Sequence, residues 1–181
     1  MKSGATAKKA RSFPLPMESE YFGQSGADFS PCDKYRYRLW RQWGDGRRVT
    51  FIMLNPSTAD AAHNDPTIER CHRRAVDMGF SALEVVNIFA YRATDPRALK
   101  KHARPIGPDN DATLIAAAKN ADLIICAWGG HGNHLGRHDA VQQLLRKHAI
   151  TPHVLSLTAK GLPGHPLYLP YSRRPVLWTD F

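Results

Sequence analysis

Three polar side chains able to hold a planar, hydrogen-bonding ligand stand at or just beyond apolar runs in this chain, at Asn55, Asn87 and His165. The stretch FIMLNPSTAD (51–60) shows the pattern most sharply, because a buried-looking run stops at Asn55-Pro56-Ser57. Pro56 fixes φ and has no N–H, so it ends strand pairing, and Ser57 or Thr58 can bond the backbone groups it frees. Asn55 adds an amide that offers two donors and an acceptor, which suits fixing a water or a carbonyl. An amide is no general base near neutrality, so any chemistry there would rest on positioning and electrostatics. Asn87 closes the run LEVVNIF (83–89), where an unpaired amide would cost about 1–3 kcal/mol until a neighbour or a ligand satisfied it. His165, between Gly164 and Pro166, is placed to donate to negative charge developing on a leaving group.

The elements that must carry these residues follow from periodicity. Apolar runs at 49–54, 83–89, 122–128 and 153–157 predict buried strands, and YRYRLWRQW (35–43) alternates like an amphipathic edge strand. Asp65 and Pro66 predict a helix start, with Ile68, Cys71, Ala75 and Met78 on one face before Gly79. Further helices are predicted over 109–120 and 138–149. Strands alternating with helices imply an α/β fold, a three-layer sandwich with a mostly parallel central sheet. Ligands of such sheets bind beyond the carboxyl ends of the strands, which gathers Asn55, Asn87, Trp128 and His165 on one rim.

Length and charge narrow the function classes. At 181 residues and 43% hydrophobic, one α/β domain is expected over 31–181, preceded by a flexible basic arm over 1–30. The net charge of +9 points to DNA or another nucleic acid as partner, with a nucleotide as the smaller alternative. Arg92, Arg97, Lys100 and Lys101, in what reads as a loop after the second buried strand, are the expected phosphate contacts, and Tyr91 offers a stacking face. Three scattered cysteines make no disulfide framework, and no run is long enough to cross a bilayer, so a cytoplasmic protein with no membrane partner is expected. His131, His134 and His138 echo a metal site without a fourth ligand, and neither a metal nor a cofactor is expected.

The stretch from about Tyr35 to Trp178, with its LNPSTAD hallmark, resembles the bacterial and phage domain of unknown function family 1643. More remotely, the order of motifs is similar to the uracil-DNA glycosylase superfamily, whose α/β fold flips a base out of DNA and cleaves its glycosidic bond. That resemblance implies catalytic roles for Asn55 and His165, with base contacts from Asn87, Pro56, Ser57, Tyr91 and Trp128. It also sends Leu167 and Tyr168 toward the nucleic acid. The chain departs from the superfamily in lacking GQDPY, in carrying Asn55 where the most active uracil branch has an acid, and in reading His-Pro-Leu-Tyr for His-Pro-Ser-Pro. Base processing is the function implied. The alternative is a catalytically inactive module that binds a nucleotide or modified base in a phage or DNA-modification system.

Overall fold

The protein is described by a computed structural model covering residues 24–181. Most of the expected N-terminal arm lies outside the described residues. Residues 24–29, assigned to that arm by composition, instead form a strand. Seven strands, β1 (Gln24–Phe29), β2 (Arg36–Gln42), β3 (Arg48–Met53), β4 (Ala82–Asn87), β5 (Leu123–Cys126), β6 (His153–Val154) and β7 (Val176–Leu177), make one sheet in the order β1-β2-β4-β3-β5-β6-β7.

The sheet is mixed, which corrects the expectation of a mostly parallel one. Strands β4, β3, β5 and β6 run parallel, while β1, β2 and β7 pair antiparallel at the flanks. The physical reason lies in the link between β2 and β3. Residues 43–47 are too few for a crossover, so β2 must run against β3 and therefore against β4. Nor is β2 an edge strand. It sits between β1 and β4, and two of its arginines, Arg36 and Arg41, are only 2% and 0% exposed.

Alternate residues of β3 divide between two cores. Phe51 and Met53 pack with Ile68, Cys71 and Ala75 of α1 (Pro66–Asp77). Ile52 packs with Leu114 and Ala118 of α3 (Asn110–Lys119) and with Val141 and Leu145 of α4 (Arg137–Lys147). Asp65 caps α1 as its sequence demands, its Oδ1 accepting from the N–H groups of Thr67 and Ile68 at 3.0 and 2.9 Å. A short helix, α2 (Pro96–Lys101), occupies part of the stretch that reads as a loop, because Asp95 caps its Arg97 N–H and Pro96 takes the first position. The last predicted strand pairs only over His153–Val154, and the chain beyond bends away at Leu155.

The chain leaves β3 toward the face covered by α1 and leaves β4 and β5 toward the face covered by α3 and α4. That reversal opens a crevice at the carboxyl ends of the central strands. The end of β4 is held there by two buried side chains. Asn110 Nδ2 donates to the carbonyls of Asn87 and Ile88 at 2.9 and 3.1 Å, and Arg137 Nε donates to the Ile88 carbonyl at 2.7 Å while its Nη2 pairs with Asp111. We expect Asn110→Ala to lower unfolding free energy by about 1–3 kcal/mol, since it takes the side-chain donor from the buried Asn87 carbonyl and leaves Ile88 to Arg137 alone. Urea denaturation of the two proteins measures this.

Candidate functional site

A cavity of about 670 Å³ lies in the crevice. It is bounded by the loops after β3, β4 and β5, by the start of α1 and by the segment around His165. Of the residues singled out by sequence, Asn55, Ser57, Asn87, Trp128, His165, Leu167 and Tyr168 line it. Pro56 is buried beside it and acts through its backbone, its carbonyl accepting from Ala93 N–H at 2.9 Å.

Asn87 is 1% exposed, and its Oδ1 is buried without a hydrogen-bond partner among the described residues. Its backbone is clamped by Asn110, so the unsatisfied amide is held in place. Asn55 behaves differently. Its Nδ2 bridges the carbonyls of Pro56 and Ala93 at 2.9 and 2.7 Å, which commits both amide protons to the loop after β3. The amide acts as a brace, and only Oδ1 remains to accept from a ligand or water.

His165 accepts the Leu167 N–H on Nδ1 at 3.3 Å, so its proton resides on Nε2. Burial lowers its pKa to about 4, against a smaller opposing pull from Asp65. The imidazole is therefore a neutral donor at physiological pH. The loop that carries it is tied to α1: Arg70 donates to the carbonyls of Pro166 (3.0 Å) and Leu169, and Arg74 to those of Leu169 (2.8 Å), Pro170 (2.9 Å) and Arg173 (3.2 Å). On the other side, Gly129 N–H donates to Pro163 at 2.8 Å. At φ +72°, with a Cβ that would fall 3.3 Å from that of His165, this position suits glycine alone. Trp128 forms a fully buried wall whose Nε1 donates to His138 Nδ1 at 3.3 Å.

Sequence reasoning missed four contributors. Arg36 lines the cavity although alternation along β2 suggests an outward side chain. Asp65 is visible in sequence as a cap, but nothing in its spacing shows that it also reaches the cavity. Ser156 and Thr158 join it because the last predicted strand ends early.

Several expected contacts lie away from the cavity. Tyr91 stacks on His102 with centroids 3.8 Å apart. Arg92 pairs with Asp33 at 3.0 Å, and Arg97 with Asp95 at 2.9 Å. Lys100 and Lys101 are exposed on α2. The three histidines of the 131–138 segment separate: His131 lines the cavity, His134 packs against Phe89, and His138 serves Trp128. Among the described residues, no group of three or more His, Cys, Asp or Glu side chains is arranged to hold a metal.

A family model described as a protein of unknown function (DUF1643) matches residues 36–167, well over half of the chain. The chain belongs to the DUF1643 family. The matched span of this DUF1643 protein runs from β2 to Leu167 and so contains every cavity residue named above except Tyr168. No curated protein and no solved structure matches the chain.

The depressed pKa of His165 has a thermodynamic consequence. In the unfolded chain a histidine titrates near 6.5, so between pH 6.5 and about 4 the unfolded state binds the extra proton. Its contribution to stability is thus intact above pH 6.5 and is lost as pH falls toward 4. His72 and His138 are also lowered by burial and add slope of the same sign. We expect His165→Gln to flatten the stability profile of the DUF1643 protein in this window, read as the difference between urea midpoints of the two proteins across pH 4–7.

Proposed function

We propose that this protein binds a nucleobase in the cavity and acts on its N-glycosidic bond, in the manner of the uracil-DNA glycosylase-like three-layer fold that its motif order resembles. The observation that carries the reading is Asn87: a buried amide with an unpartnered Oδ1, facing a cavity and locked through its own backbone. An amide so placed can exchange paired hydrogen bonds with the edge of a base, and its desolvation cost is recovered only when such a ligand enters. Trp128 contributes an aromatic wall.

In the reaction so proposed, water adds to the anomeric carbon as the bond to the base nitrogen breaks, the base departs with the bonding electrons, and the proton that the added water gives up passes through solvent to the departed base nitrogen. Asn55 Oδ1 orients the water. His165, neutral and carrying its proton on Nε2, donates a hydrogen bond to the base as negative charge gathers there. Base flipping or capture of a free nucleotide would each deliver the base to this cavity. Contacts from Arg92, Arg97, Lys100 and Lys101, with the exposed Tyr168 at the cavity rim, would hold a nucleic acid strand.

A second reading, binding without bond cleavage, draws on a specific observation. The Nδ2 of Asn55 is committed to two carbonyls, and the oxygens of Asp65 are engaged with the backbone N–H groups of Thr67, Ile68 and Ala59. The assay that separates the two uses duplex and single-stranded oligonucleotides carrying uracil, mismatched thymine or modified bases, together with free nucleotides, and scores released base and abasic sites. Release supports cleavage, binding alone supports the silent module, and neither event with any substrate overturns the base reading.

We expect Asn87→Ala to weaken base binding about tenfold or more, the equivalent of about 1.4 kcal/mol. Asn55→Ala and His165→Ala should spare affinity and lower turnover. Fluorescence titration and single-turnover kinetics distinguish these effects. If a strand is bound, the triple replacement of Arg97, Lys100 and Lys101 by Ala should weaken binding evenly across sequences. It should also reduce the slope of log affinity against log salt by about 0.7–0.9 for each phosphate that the variant leaves unneutralised.

A further inference from the structure

Arg36 is the charged group that the base reading leaves without a task. It stands at the start of β2, its N–H donating to the Ala90 carbonyl at 3.0 Å, and its side chain reaches the cavity beside the end of β4. It is 2% exposed. Its Nη1 donates to the Ala59 carbonyl at 2.6 Å, while its Nε is buried with no acceptor, and it forms no ion pair among the described residues. Two other buried arginines have fuller employment: Arg74 braces three carbonyls, and Arg137 combines a carbonyl with a carboxylate.

A guanidinium withdrawn from water without an anion is unfavourable by several kcal/mol, on the order of what a charge-assisted pair returns. The carboxylate in the same cavity, Asp65, favours the charge of Arg36 but directs its oxygens to the backbone around α1. Burial lowers the Arg36 pKa to about 10, so it stays cationic at neutral pH. The Arg36 charge is thus balanced only through space, by Asp65 and Asp60, and is bonded to neither: its buried Nε has no acceptor, and the hydroxyls of Ser57, Ser156 and Thr158 are also among the cavity's lining groups.

We propose that Arg36 seats a phosphate of the bound ligand, and that the substrate is a free nucleoside monophosphate whose base meets Asn87. This inference rests on the base reading above and names its substrate class. Phosphate suits the site because a guanidinium offers several donors to one tetrahedral oxyanion. The free monoester is favoured over a backbone phosphodiester by depth. A diester at a position only 2% exposed would need both flanking nucleotides to thread the cavity, whereas a terminal monoester can be enclosed. A volume of about 670 Å³ accommodates a ligand of that size.

Calorimetric titration of the full chain decides the matter. The ligands are the five 2′-deoxynucleoside 5′-monophosphates with bases A, C, G, T and U, their nucleosides, inorganic phosphate, and single-stranded trinucleotides with each base in the centre. We expect at least one monophosphate to bind ten- to a hundredfold more tightly than its nucleoside and than its trinucleotide, a ratio of about 1.4–2.8 kcal/mol. Arg36→Gln should erase that preference while keeping nucleoside affinity. Should removal of the bond to the Ala59 carbonyl unfold that variant, Arg36→Lys, which keeps the charge but not the fork, should retain only part of the preference, and the wild-type ratio still stands as the test.

Nucleoside and monophosphate binding of equal strength, abolished in Asn87→Ala, overturns the phosphate seat and leaves the base reading intact. A trinucleotide that binds more tightly than the monophosphate moves the phosphate to a strand and overturns the free nucleotide. Inorganic phosphate that matches every nucleotide, abolished in Arg36→Gln and indifferent to Asn87→Ala, keeps the anion seat and overturns the base reading. If no ligand binds, both fall.

Discussion

A parallel strand in the middle of a sheet has to stop, and its last carbonyls then lose their ladder partners while still buried. At the end of β4 this requirement is met by Asn110 and Arg137, which take the carbonyls of Asn87 and Ile88 from the α3 and α4 side. The arrangement does two things at once. It satisfies the backbone, and it fixes the Cα of Asn87 so that the side chain is free to remain unsatisfied. Remove the clamp and the amide could swing to a carbonyl of its own chain. The cavity exists as a polar site because the strand end behind it is already paired.

The same device recurs around the rim. Loops that would otherwise need internal secondary structure are held by arginines reaching across to their carbonyls: Arg41 to Asp60, Ala61 and His63, and Arg70 and Arg74 to the 166–173 segment. Part of the positive charge legible in the composition is therefore internal scaffolding, carried by the buried Arg36, Arg41, Arg74 and Arg137. A basic sequence balance is a weaker indicator of a polyanionic partner when its arginines are 0–2% exposed, as Arg36, Arg41 and Arg74 are.

The parts of the fold that are readable from sequence are those whose signals are local. Asp65-Pro66 announces α1, apolar runs announce β3, β4 and β5, and the polar residues that follow them fall on one rim because parallel strands share an exit side. What is not readable depends on partners distant in sequence. β1, with Gly26 and few apolar residues, looks like part of an arm until the neighbouring Trp40 is seen filling the space beside that glycine. Strand direction at the flanks leaves no trace in an apolar run. The inward turn of Arg36 is invisible in YRYRLWRQW, since alternation tells faces apart without saying which is dry. Asn55 stands where the motif places it but with a different occupation, since its hydrogen-bond partner Ala93 lies 38 residues away.

The braced segment after His165 carries Tyr168, whose side chain stands 81% exposed on a loop whose carbonyls are taken up by Arg70 and Arg74. An exposed aromatic ordinarily gives up backbone freedom when it engages a surface or a ring, at about 1–2 kcal/mol for each residue ordered. In this loop the backbone is already immobilised by the helix beneath it. Whatever stacks on Tyr168 meets a surface whose ordering entropy was given up in folding, so the contact retains more of its enthalpy as affinity.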